Sequence, residues 1–235
     1  MQLHLNLSDD QIAQFDHFEE LLMEWNEVMN LTRITDDEDV INRHFIDSLC
    51  LIKADSYLEV PMDGGISVLD MGTGGGFPGI PLKIMYPDIR IVLVDSLEKR
   101  VRFVQRVIDE LMLRDAQVIH SRAEDFGRST GRRESFDLCV SRAVAALPVL
   151  AEYTLPYLKI GGQAVYYKGM EIEEEINSAR RAFTLLGGKY PVHTVKYLLP
   201  DTDIGRSLVV VNKVAETPVY YPRKAGTPER VPISG

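Results

Sequence analysis

The residues best suited to chemistry form a glycine-rich turn, Val68-Leu69-Asp70-Met71-Gly72-Thr73-Gly74-Gly75-Gly76-Phe77-Pro78-Gly79. It follows an apolar run and precedes Pro78, a residue suited to the first turn of a helix. Glycines there permit positive φ and let a ligand come close to the backbone. Asp95 ends the next apolar run, 23 residues after Gly72, where a carboxylate can accept hydrogen bonds from both hydroxyls of a ribose. Turn and acid together predict an adenosine-containing ligand. NAD competes on these two features alone, but Phe77 stands where a dinucleotide fingerprint places its third glycine. Asp70 opens the pattern Asp-x-Gly-x-Gly found in S-adenosylmethionine-dependent methyltransferases, so the detail favours that cofactor, with Gly72 and Gly74 against it.

Two further clusters sit where apolar runs end. Ser121-Arg122-Ala123-Glu124-Asp125 offers Glu124 as an acceptor for an adenine amino group, and Ser141-Arg142-Ala143 offers Arg142. A guanidinium there would orient the cofactor's carboxylate or grip an RNA phosphate by a bidentate contact; the cofactor is the expected partner. The plain structural readings, a helix cap for Glu124 and a surface ion pair for Arg142, carry equal weight for either residue alone. An Asp/Asn-Pro-Pro-aromatic motif for methylating an exocyclic amine is absent after the fourth run, and so is a cysteine nucleophile for methylating a pyrimidine carbon. With neither motif present, proximity and orientation are what the chain has to offer. No general base is therefore named, His44 is read as structural, and no metal site is expected.

The elements that must position these groups follow from periodicity. Ser8-Asp9-Asp10-Gln11 has capping-box form, and Ile12, Phe15, Leu22, Trp25 and Met29 recur near helical spacing, so residues 8–30 read as an amphipathic helix. A second capping box at 35–38 starts a shorter helix to about residue 53. Short apolar runs at 66–71, 91–95, 116–120, 136–141 and 163–167 then alternate with helical stretches at 78–85, 97–113, 146–158 and 171–186. This predicts a doubly wound α/β domain with a mostly parallel seven-stranded sheet. The last two strands, 190–197 and 207–213, have no helix between them, and an antiparallel hairpin is expected. The division expected is an N-terminal helical extension (1–65), a methyltransferase domain (66–216) and a basic proline-rich tail (217–235). The tail is expected to pack little, so that its loss would spare the cofactor site.

The overall charge of −9 argues against a nucleic-acid partner until its distribution is seen. Residues 1–65 hold 15 acidic and 3 basic side chains, a balance of −12; the remainder holds 20 and 23, a balance of +3. A basic face on the later part remains open. Arg223, Lys224 and Arg230, with Tyr220 and Tyr221 beside them, are candidates for RNA contact. Lys99, Arg102 and Arg106 form a second candidate stripe, on a helix expected to bury Leu97, Val101, Val104, Ile108 and Leu111. No apolar run reaches the 18 to 20 residues or so needed to span a bilayer. No secretory leader is read, and the two cysteines suit a reducing compartment, so a cytoplasmic monomer is expected.

Taken together, Asn30-Leu31-Thr32, Arg43-His44-Phe45-Ile46-Asp47-Ser48-Leu49, Gly76-Phe77-Pro78-Gly79-Ile80-Pro81, Ser121 to Asp125, Ser141-Arg142-Ala143 and Pro222-Arg223-Lys224-Ala225-Gly226-Thr227-Pro228 resemble the glucose-inhibited division protein B family. The likeness covers nearly the whole chain, and Gly75 departs from it where alanine is the commoner residue. The resemblance implies S-adenosylmethionine-dependent methylation of a guanine N7 in bacterial small-subunit ribosomal RNA. It implies a partner in that RNA or the small ribosomal subunit, and cofactor contacts at Gly72, Phe77, Ala123, Glu124 and Arg142. Two other functions use the same fold: methylation of a small molecule, and nucleotide binding by a non-catalytic regulatory module.

Overall fold

The computed structural model describes residues 5–29 and 40–233. The motif at 30–32 and the capping box at 35–38 lie outside the described residues. The elements are α1 (Asp9–Met29), a π-helical turn Ile41–Ile46 leading into α2 (Asp47–Leu49), and a 3-10 stretch Cys50–Tyr57. Then come β1 (Ser67–Met71), α3 (Gly79–Met85), β2 (Arg90–Asp95), α4 (Glu98–Glu110), β3 (Ala116–His120), α5 (Ala123–Thr130) and β4 (Phe136–Arg142). The chain continues through α6 (Leu147–Thr154), β5 (Leu158–Gly169), α7 (Glu173–Leu185), β6 (His193–Leu198), β7 (Gly205–Asn212) and α8 (Thr227–Arg230).

The seven strands form one sheet in the order β3-β2-β1-β4-β5-β7-β6. The first five are parallel; β7 runs antiparallel to both β5 and β6. The chain order reverses beside β1, and the crevice at the carboxyl edge of such a switch point is where open α/β sheets bind ligands. The central strands are buried on both faces, which is why they read as continuous apolar runs. Val68 of β1 packs with Phe18, Ile80 and Phe103, whereas Leu69 and Met71 face Phe126, Leu147 and Phe183.

The N-terminal helices have no core of their own. Phe15, Phe18, Leu22, Phe45 and Leu49 are part of the cluster that includes Val68 and Phe103. The capping box at the start of α1 forms as expected: Ser8 N–H donates to Gln11 Oε1 (2.9 Å) and Gln11 N–H to Ser8 Oγ (3.3 Å). The Gln11 amide then donates to the carbonyls of Ile84 (2.7 Å) and Met85 (3.1 Å), tying α1 to the end of α3. Helix α4 buries Val104 and Ile108 as expected, with Leu111 just beyond it, and adds Phe103 and Val107; Val101 is half-buried and Leu97 is 44% exposed.

The unpacked tail is a correction. Residues 217–233 run back over the sheet domain, burying Thr217, Pro222, Pro228 and Ile233. Arg133 donates to the carbonyls of Thr217, Pro218 and Tyr221, and Lys213 to Thr217 Oγ1. Periodicity does not reveal this segment because polar caps and ion pairs hold it, not an apolar stripe.

Candidate active site

At the carboxyl edge of β1 the glycine turn is pinned by hydrogen bonds its sequence supplies. Gly72 and Thr73 N–H groups donate to Val94 O (2.8 and 3.0 Å), extending the β1–β2 pairing into the turn. Thr73 Oγ1 and Gly79 N–H both donate to Asp70 Oδ2 (2.6 and 2.9 Å), which closes the loop on itself. Asp70 Oδ1 is buried with no hydrogen-bond partner, and burial pushes this carboxyl up to about 7. Gly72 has φ +78°, and a Cβ there would lie 2.4 Å from Val144 Cγ2. Only glycine fits.

Asp95 braces the same turn from β2. Its Oδ2 accepts from Gly74 N–H (2.9 Å), its Oδ1 accepts from Leu97 N–H (2.9 Å), and Arg100 lies 3.5 Å away. Gly72, Asp95, Ala123 and Glu124 line a common cleft of about 270 Å³ with Arg100 and Tyr153. A cofactor's adenosyl part fits these groups. A Cβ at Gly74 would meet open space, the Asp95 carboxylate stands at the strand end, and Glu124 is 3% exposed with its hydrogen bonds among the described residues on Oε1. The chemistry to be supplied by S-adenosylmethionine is an electrophilic methyl group on sulfur.

Gly74, Phe77 and Arg142 are not among the residues that line this cleft, although Gly74 N–H is held by Asp95 at its edge. Phe77 is buried among Phe18, Phe45 and His44, its ring stacked on the imidazole with centroids 4.5 Å apart. The Arg142 guanidinium lies over the Phe77 ring, 5.1 Å from its centroid, and is aimed at the N-terminal helices. It donates to Arg43 O (3.1 Å), to Asp47 Oδ2 (3.1 Å) and to His44 Nδ1 (3.1 Å). The bond to Nδ1 leaves the imidazole proton on Nε2. Burial, with Arg142 beside it, pushes His44 down to about 3, so this ring is neutral.

These residues line a second cleft of about 420 Å³, walled by Arg43, His44, Asp47, Arg142, Tyr167, Lys168 and Arg206. Ala143, with φ +56°, lines both clefts. Ser141 Oγ donates to Met71 O (2.8 Å), locking the ends of β4 and β1 together at this junction. Asp47, 4% exposed at its side chain, accepts from Arg142 and from Tyr197 OH (3.4 Å) and lies 3.5 Å from Arg206. Sequence reasoning did not assign Asp47, Tyr167, Lys168 and Arg206. For Asp47 the signal was the Arg43 to Leu49 motif; the others lie on strands where nothing local marks them.

The three tail cations part company. Arg223 gives its Nε and Nη2 to the carboxylate of Glu152 (2.6 to 3.0 Å), and Glu152 is fully buried. That replaces the expected phosphate contact with a structural one. Lys224 and Arg230 are exposed. On α4, Arg102 pairs with Glu98 (2.6 Å) and Arg106 with Glu110 (2.5 Å), so the expected basic stripe is matched by acids one turn away.

The model of one family, described as GidB: rRNA small subunit methyltransferase G, matches residues 11–199. This chain belongs to the GidB family. Among its relatives, a ribosomal RNA small subunit methyltransferase G of Lachnoclostridium phytofermentans is 48% identical over 98% of this chain and 93% of its own. Another from Alkaliphilus metalliredigens is 46% identical over 99% and 95%. The fold extends to solved structures that share only the architecture. Fibrillarin of Aeropyrum pernix, solved with bound S-adenosyl-L-methionine, aligns at a TM-score of 0.50 with 16% identity, covering 69% of this chain and 72% of its own. A predicted O-methyltransferase from Agrobacterium tumefaciens aligns at 0.55 with 16% identity, covering 74% and 81%. GidB membership makes the chain an S-adenosylmethionine-dependent methyltransferase, and the dinucleotide alternative falls.

Proposed function

We propose that the chain methylates N7 of a guanine in bacterial small-subunit ribosomal RNA, with Gly72, Gly74, Asp95, Ala123 and Glu124 holding the cofactor. In this reading residues 66–216, joined by Glu229, carry the cofactor cleft, and the extension, residues 1–65, supplies the outer wall of the substrate cleft. The observation that carries it is the second cleft, joined to the first through Ala143 and lined by Arg43, Arg142, Lys168 and Arg206. Arg142 and Arg206 gather around Asp47 with Arg43 nearby, and Lys168, paired with Glu175 at 2.6 Å, completes a lining rich in cations that suits an RNA backbone. In the same reading Lys224 and Arg230 are further phosphate contacts and the enzyme is a cytoplasmic monomer; the exposure of these two side chains supports the first part.

The residues of this cleft hold no proton acceptor ready for use. His44 is neutral, with Nδ1 taken by Arg142, and Asp47 is engaged by Arg142, Tyr197 and Arg206. Guanine N7 needs none, since its in-plane lone pair bears no proton at neutral pH. The protein's part is then to orient the base and exclude water. The test is transfer of a labelled methyl group to small-subunit RNA from a strain lacking the modification, followed by mapping. One 7-methylguanine is expected, and an RNA carrying 7-deazaguanine at that position should take up no label. Label on an exocyclic amine, or transfer to metabolites but not to RNA, would sink the proposal.

A further inference from the structure

The segment read from sequence as a tail stands beside the cleft, beyond residue 199 where the family model's match ends. We infer that residues 217–233 set Glu124 for recognition of the cofactor's adenine, with Gly226 as the positioning residue. This rests on the reading that the cleft of Gly72 and Asp95 holds the adenosyl group.

Gly226 has φ +77° and donates its N–H to Glu124 Oε1 (2.8 Å). A left-handed backbone of this kind is open to glycine and, at small cost, to asparagine. Tyr153 OH donates to the same oxygen (3.3 Å). Two donors on Oε1 fix the carboxylate's rotation; among the described residues no hydrogen bond reaches Oε2. A buried carboxylate held in this way accepts from an amino group and leaves a ligand lacking that donor with an unpaired oxygen. Adenine carries such a group at its 6 position.

The segment is anchored firmly enough to act in this way. Glu152, buried next to Tyr153 in α6, takes Arg223 through the backbone N–H (2.6 Å) as well as through Nε and Nη2. Adjacent residues of one helix therefore hold the segment and the carboxylate it orients. Glu229 of the same segment lines the cleft itself.

The test measures by calorimetry the binding of two probes to the full chain: S-adenosylhomocysteine, and its analogue with hydrogen in place of the 6-amino group. Wild type should prefer the first by about tenfold or more, the scale of a hydrogen bond to a charged group. Gly226→Pro removes the donor, and the preference should fall toward one. Gly226→Asn keeps the N–H and should keep the preference. Tyr153→Phe removes only the second donor and should lower the ratio about threefold, a measurement that stands where Gly226→Pro does not fold. A ratio unchanged in Gly226→Pro and in Tyr153→Phe overturns the inference. So does equal weakening of both probes with the ratio preserved, which would mark the segment as mere support. Asp95→Ala separates the underlying reading: it should weaken both probes alike, and if neither wild type nor this variant distinguishes itself in binding, the cleft is not the cofactor site.

Discussion

The two clefts that meet at Ala143 are built in opposite ways. The cofactor side comes from successive strand ends, Gly72 after β1, Asp95 at the end of β2, Ala123 and Glu124 after β3, each positioned by the same crossover pattern. The substrate side gathers Arg43 and Asp47, Arg142, Lys168 and Arg206 from four separate parts of the chain. One is a product of local order repeated by topology. The other exists only because α2 docks on the sheet and β7 inserts between β5 and β6. In the proposed function, chemistry shared by many methyltransferases sits in the first, and the groups that would choose a substrate sit in the second.

The sharpest way to break this division is Gly72→Val. The added side chain collides with Val144 and demands a φ that valine avoids, so cofactor affinity should fall by about a hundredfold or more while the fold persists. Calorimetry with S-adenosylhomocysteine reads it, and undiminished affinity would place the pocket elsewhere. Arg142→Lys tests the other side. It keeps the charge but not the fork that reaches Arg43 O, Asp47 and His44, and should cost about 1–3 kcal/mol in kcat/KM for RNA with cofactor affinity unchanged. A loss of cofactor affinity instead would return Arg142 to the cofactor.

A third experiment uses the neutral imidazole of the second cleft. The folded-state pKa of His44 is depressed to about 3, against 6.5 for the free side chain. Below pH 6.5 the unfolded chain takes up a proton that the folded chain refuses, so stability drops as pH falls through that window. Between pH 6.5 and 5 this contribution is about 2 kcal/mol at a slope near 1.4 kcal/mol per pH unit. Urea melts at pH 7 and 5 should show His44→Phe losing that much less than wild type. Equal losses would mean that the imidazole protonates in place. The smallest effect is expected on α4, where Arg102→Ala with Arg106→Ala should shift RNA affinity by less than about threefold, because exposed pairs of this kind contribute little. A tenfold loss in a binding titration would move the RNA path onto that helix.

The glycine turn and Asp95 are legible because each depends on its immediate neighbours: positive φ demands glycine, and a strand end presents its last side chain at the edge. The capping box at Ser8 was readable for the same reason. The directions of Arg142 and Phe77 are not legible, because a place at a strand end or in the turn after it says which edge a residue reaches and not which way its side chain turns. Phe77 was drawn into an aromatic cluster with Phe18 and Phe45, and Arg142 was drawn by Asp47, 95 residues earlier in the chain.

Residues 217–233 mark the boundary between the two kinds of information most plainly. Composition determines that the segment is basic and rich in proline, and four prolines forbid a long helix there. Whether Arg223 meets solvent, phosphate or a carboxylate depends on Glu152, which lies 71 residues away and is buried by packing of α6 that no local pattern announces. The sequence by itself determined the alternation of strands and helices, the nucleotide turn and the acid that faces it, since these follow from backbone conformation and short-range spacing. Only the tertiary structure decided which charges pair, because a buried ion pair forms where folding brings two side chains together out of water, and that is set by the whole chain.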